Sequence, residues 1–165
     1  MCERWFREKV LNKSANEIFS ILDSRDDLLE RNPRLIFIPP IKGAPYWEPK
    51  QKGAFLGISL DVDGLEMFLA VLEGASFSLK DARNQLSELV GEEKREYLFT
   101  GGGSQSKLWT KVLSNALGFP ARVVEAEPSI GAAFIAGKAL GMELKPGTII
   151  KNRVENSKEL IERIN

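Results

Sequence analysis

Apolar residues recur along the chain in two rhythms, one helical and one extended. The longest helical run is Leu65, Phe68, Leu72, Ala75, Leu79, Ala82, Leu86 and Leu89. Alternating steps of three and four put these residues on one face of a single helix, expected to pack inward along its whole length. Asp63, with Glu66 three residues on, forms a capping pair at its start. Gly74 costs about 1 kcal/mol inside a helix relative to alanine, which marks a close backbone approach by a neighbour. Upstream, Trp5, Phe6, Val10 and Leu11 form the stripe of a first helix. Ser14 caps a second that carries Ile18, Phe19 and Leu22. Leu35 to Ile38 reads as a strand closed by Pro39 and Pro40, Lys42 to Gly53 as a loop, and Ala54 to Leu60 as a strand ending in a turn.

The second half alternates. Tyr97 to Thr100 is a strand that runs directly into Gly101, Gly102 and Gly103. Leu108, Trp109, Val112, Leu113 and Leu117 form a helix ended by Gly118, and Ala121 to Val124 is the next strand. Pro128 opens a helix of small residues that reaches Leu140 and stops at Gly141. Beyond Ile149 and Ile150, residues 151–165 read as a helical tail carrying Leu160, Ile161 and Ile164. This order predicts an α/β fold with a partly parallel sheet. A length of 165 residues fits one domain spanning 1–165.

Composition removes several chemistries. With 23 basic and 23 acidic residues the net charge is zero, so nothing favours nucleic acid or an anionic membrane as partner. No apolar run approaches the roughly 20 residues that span a bilayer. The first residues lack the apolar core of a signal peptide, which predicts a cytoplasmic protein. Histidine is absent, which excludes Ser-His-Asp and Cys-His nucleophiles and imidazole-bound zinc. The single cysteine, Cys2, excludes an internal disulfide.

Gly101-Gly102-Gly103-Ser104-Gln105-Ser106 lies between a predicted strand and a predicted helix. Peptide groups without side chains approach an anion closely, and a helix start adds partial positive charge. A phosphate would sit here; a tight turn with no ligand is the bland alternative. The stretch also nearly fits a dinucleotide fingerprint, with Ser106 in place of the third glycine and Glu125 as a ribose acid. Ser59, Asp61, Asp63 and Gly64 hint at a calcium loop, but its twelfth position is Ala70 where a bidentate glutamate is needed. Glu73 reads as a half-exposed structural carboxylate. Tyr46 and Trp47 read as aromatics that pin a proline-rich loop.

Several motifs in order resemble one family. Gly53-Ala54-Phe55-Leu56-Gly57-Ile58, then Glu66-Met67 and Ala70-Val71-Leu72-Glu73, match the second signature of the FGGY carbohydrate kinases. Thr100 to Ser106, with Trp109, resembles the nucleotide loop of the xylulokinase and gluconokinase branches. Gly43 to Pro49 resembles a loop of the glycerol kinase branch. Trp5-Phe6-Arg7 and Ser129-Ile130-Gly131-Ala132-Ala133 fall in family order. The resemblance spans nearly the whole chain. It implies the ribonuclease-H-like, actin-like ATPase fold, and ATP and a sugar or polyol as substrates, with magnesium carried by the nucleotide. It places Gly101, Gly102 and Gly103 at the phosphates or adenosine, and Ser106 at a polar adenosine contact.

Departures from the family pattern leave the sugar open. Ile41-Lys42-Gly43 stands where xylulokinases carry Gly-Glu-Arg. Glu66 and Leu69 stand where a histidine and an arginine are common, and Ala126 replaces a glutamate, with Glu125 and Glu127 on either side. The resemblance covers only the later part of the family's second domain, so no catalytic base matches and the chain alone is expected to be inactive. Strand edges left bare would associate with a second copy or with a separate N-terminal kinase half. A non-catalytic remnant from a split gene and a dinucleotide-binding domain of an oxidoreductase are the alternatives.

Overall fold

A computed structural model describes residues 2–25, 27–30, 35–40, 42–43, 46–47, 52–91, 97–125, 128–142 and 149–154. The amphipathic start folds as α1 (Cys2–Lys9) and α2 (Ala15–Asp23), followed by a single turn, α3 (Asp27–Glu30). Ser14 caps α2 in both directions. Its hydroxyl accepts from the Glu17 N–H at 3.3 Å, and its own N–H donates to the Glu17 carboxylate at 2.8 Å. These bonds hold the Glu17 carboxyl below its ordinary value of 4.5.

The predicted strand at Leu35 is β1 (Ile36–Ile38). Inside the expected loop the backbone forms a two-residue antiparallel pair, β2 (Lys42–Gly43) with β3 (Tyr46–Trp47). β4 (Ala54–Leu56) is shorter than expected because Gly57 turns the chain with φ at 83°. It pairs antiparallel with β1, Phe37 opposite Phe55.

Next comes α4 (Gly64–Val90), opened by the expected capping box. The Asp63 carboxylate accepts from the N–H groups of Leu65 and Glu66 at 2.8 Å, and the Glu66 carboxylate accepts from the Asp63 N–H at 2.8 Å. The first half of α4 is the centre of the core. Phe68, Leu69, Val71 and Leu72 are buried with Phe6, Ile18 and Leu22 from the first two helices. Gly74 explains itself: a Cβ there would fall on the carbonyl oxygen of Phe37 in β1 and within 3.2 Å of the Phe37 ring.

The second half of α4 departs from the expectation. Leu79, Leu86 and Leu89 are 53%, 61% and 84% exposed. An apolar rhythm marks a face suited to burial; it does not supply the neighbour. Arg83 on this half donates to the Tyr97 hydroxyl at 3.0 Å and stacks over the Phe119 ring at 4.8 Å.

The remaining elements are β5 (Tyr97–Phe99), α5 (Lys107–Leu117), β6 (Ala121–Glu125), α6 (Pro128–Ala139) and β7 (Ile149–Val154). β5 and β6 are parallel, as the intervening helix requires. β7 runs antiparallel to β6 from Ala121–Val154 to Glu125–Ile149, giving the order β5-β6-β7. Residues 151–154, expected at the head of a helical tail, therefore extend a strand. Ile149, Ile150 and Val154 are β-branched, and pairing along the side of β6 away from β5 satisfies that strand's second row of backbone groups. Residues 155–165, with the expected Leu160, Ile161 and Ile164 helix, lie outside the described residues. α5 packs against both α4 and the sheet. Among the described residues no helix is long and apolar enough to cross a membrane.

Two glycine substitutions separate packing from propensity. Gly74→Ala is expected to lower stability by about 1–3 kcal/mol, the cost of overpacking. Gly131→Ala in α6, where a Cβ meets nothing within 4 Å, should raise it by up to about 1 kcal/mol. Urea unfolding of the two variants beside the parent measures both.

Candidate functional site

The glycine run joins the end of β5 to α5 and is shaped by its own hydrogen bonds. Gly101 holds φ at 87° and ψ at −172°, a region open only to glycine. Gly102–Gln105 make one 3₁₀ turn. It is closed by the Ser104 N–H and hydroxyl, which both donate to the Gly101 carbonyl, at 3.2 and 2.7 Å. Gly103 is required for packing, since a Cβ there would stand 2.5 Å from the Trp109 indole. Gly102 differs. It is exposed, and a Cβ would meet nothing within 4 Å. Neither backbone conformation nor packing accounts for a glycine at 102.

Ser106 is placed differently from the expectation. It is 0% exposed and is the N-cap of α5. Its hydroxyl accepts from the Trp109 N–H at 3.2 Å and donates to the Asp23 carboxylate at 3.0 Å. It is thus spent inside the fold and does not face the loop surface as an adenosine contact would. Asp23 also accepts from the N–H groups of Lys107 and Leu108, at 3.1 and 3.0 Å. The donors of Lys107, Leu108 and Trp109 are all taken. The start of α5 therefore has no free N–H in its first three residues for a phosphate, which corrects the expectation that this helix end would help hold one.

Asp23 was not legible as a site residue, because 83 residues separate it from Ser106. One signal was available. An aspartate as the last residue of α2 opposes the helix dipole, and such an acid needs donors from elsewhere.

Beside the loop, an open depression of about 350 Å³ is bounded by Leu98, Phe99, Thr100, Ser104, Trp109 and Leu113. Its walls are largely apolar and include the Trp109 indole. They suit a flat, partly apolar group; Gly103, the residue after the open peptide of Gly102, also lines the depression.

The other sequence candidates do not converge here. Asp63 and Glu66 are consumed in the cap of α4. Asp61 lies in the exposed turn before it, and Glu73 is half-buried on α4. Among the described residues no three His, Cys, Asp or Glu side chains come close enough to hold a metal ion. The side chains of Tyr46, Trp47 and Glu125 lie outside the described residues, as does Ala126.

Residues 5–140 match the model of the FGGY family of carbohydrate kinases, C-terminal domain. The chain belongs to that family. It is 30% identical over 144 residues to a glycerol kinase of Dichelobacter nodosus, covering 84% of this chain and 28% of that one. A glycerol kinase of Streptomyces avermitilis is 31% identical over 143 residues, covering 84% and 27%. Among solved structures, a xylulose kinase from Brucella ovis superposes with a TM-score of 0.77 at 25% identity, covering 99% of this chain and 34% of that one. Plasmodium falciparum glycerol kinase with ADP superposes with a TM-score of 0.60 at 22% identity, covering 79% and 27%. The FGGY chain thus spans about a third or less of the proteins it matches. Its fold is the α/β, actin-like ATPase fold of the sugar kinases.

If Gly103 is kept for its contact with Trp109, Gly103→Ala should lose about 1–3 kcal/mol of stability. Gly102→Ala should stay within about 0.5 kcal/mol of the parent. Thermal unfolding of the two variants checks the contrast.

Proposed function

We propose that this chain is the ATP-binding C-terminal part of a carbohydrate kinase, serving transfer of the γ-phosphoryl group of ATP to a hydroxyl of a sugar or polyol. The observation that carries the proposal is Gly102: an exposed, side-chain-free peptide that packing does not explain, beside an apolar depression, in an FGGY chain. Such a loop supplies backbone N–H groups at Gly101, Gly102 and Gly103 to the phosphates. The Trp109 side of the depression takes the adenosine. Phosphoryl transfer is largely positioning and charge stabilisation, so holding the nucleotide is a real share of the catalysis.

Magnesium arrives on the phosphates and is not held by residues of this chain. The acceptor hydroxyl and the base that takes its proton belong to polypeptide outside these 165 residues, and the complete enzyme works in the cytoplasm. The exposed Leu79, Leu86 and Leu89 face, and an edge of β5 that pairs with no strand among the described residues, support association with that polypeptide or with a second copy.

A titration of the chain with a fluorescent methylanthraniloyl-ATP tests the nucleotide reading. Saturable binding is expected, weakened at least about tenfold by Gly102→Val with unfolding unchanged. Equal affinity in the variant would overturn the assignment. With unlabelled ATP in its place, the chain should release no ADP on addition of glycerol, xylulose or gluconate; robust turnover would place the missing chemistry within this chain.

A further inference from the structure

Among the described residues the nucleotide loop pairs with no strand, and its downstream end is tied to a helix some eighty residues earlier. We infer that Asp23 is the positioning residue of this loop, an inference that rests on the nucleotide reading above. α2 is anchored by Ile18 and Leu22, both fully buried, and Asp23 is the next residue in the chain. From that fixed point its carboxylate receives three donors: the Ser106 hydroxyl and the N–H groups of Lys107 and Leu108.

The bracing reaches the glycines by two routes. The Ser106 N–H bonds back to the Gly103 carbonyl at 3.4 Å. The ring of Phe19, also on α2, lies 6.1 Å from the Trp109 ring, and Trp109 fills the space beside Gly103. A shift of α2 therefore moves the turn that carries Gly102. The chemistry selects a carboxylate. Its two oxygens are acceptors only, and they meet three donors; an asparagine would turn an NH₂ toward one of those donors. The same three bonds help leave the start of α5 closed, so an anion reaches this segment through the peptides of Gly101, Gly102 and Gly103.

The test compares the parent chain with Asp23→Asn and Asp23→Ala in ¹H–¹⁵N spectra and in methylanthraniloyl-ATP titrations. In Asp23→Asn the amide signals of Gly101, Gly102 and Gly103 should shift or broaden while those of Phe68 and Val71 stay in place. Nucleotide affinity should fall about tenfold, as for loss of one charge-assisted hydrogen bond. Asp23→Ala should show the larger effect; if it does not fold, the asparagine variant decides. Unmoved glycine amides would overturn the inference, and so would moved amides with unchanged affinity. A parent chain that binds no nucleotide refutes the functional reading instead, and the glycine amides still judge whether Asp23 holds the loop.

Discussion

The carbonyl of Phe37 occupies the space where a side chain at residue 74 would stand, and this contact lets β1 lie directly on α4. The rest of the molecule is arranged around that half of α4. Phe37 and Phe55, 4.7 Å apart, bring β4 onto the same surface, and Phe6 stacks against Phe68 at 6.0 Å to bring α1. α5 also packs on α4, with Leu108 and Val112 in the same core, and carries the sheet and the glycine turn with it. A glycine that weakens the helix locally is therefore what allows the layers to close. The loss of about 1 kcal/mol in propensity is small beside the roughly 1.5–3 kcal/mol gained by each fully buried Phe or Leu.

The site follows from how polar groups are satisfied within that packing. A helix start buried against its neighbours must find acceptors for its first N–H groups. Here Ser106 supplies one and Asp23 supplies the rest. With that end closed, the open backbone near the depression is the preceding glycine turn. Its three glycines are not equivalent: Gly101 is needed for its backbone angles, Gly103 for its contact with Trp109, and Gly102 for neither. An open peptide next in the chain to a residue that lines an apolar hollow is the arrangement behind the proposed nucleotide site, with the base against carbon and the phosphates against N–H groups.

Much of this was legible before any coordinates. The cap at Ser14, the capping pair at Asp63 and Glu66, the close approach at Gly74, the parallel β5–β6 pair and the family itself follow from local spacing or from ordered motifs. Failures occurred where the deciding partner is distant or lies beyond the described residues. The leucines from Leu79 to Leu89 keep a helical rhythm, but no described neighbour covers them. Lys151 to Val154 join a strand because the edge of β6 is near, which local propensity does not reveal. Ser106 sits at the right place in its motif for a ligand contact, yet Asp23 claims its hydroxyl from another helix.

The most direct measurement is an ADP titration of the ¹⁵N-labelled chain, followed through its amide and indole signals. Shifts centred on Gly101, Gly102, Ser104 and the Trp109 indole are expected, with the Lys107 and Leu108 amides still because Asp23 holds them. Shifts centred on Lys107 and Leu108 would mean that the phosphates sit at the helix start and displace Asp23. A glycine turn that does not respond to saturating ADP would contradict the nucleotide site altogether.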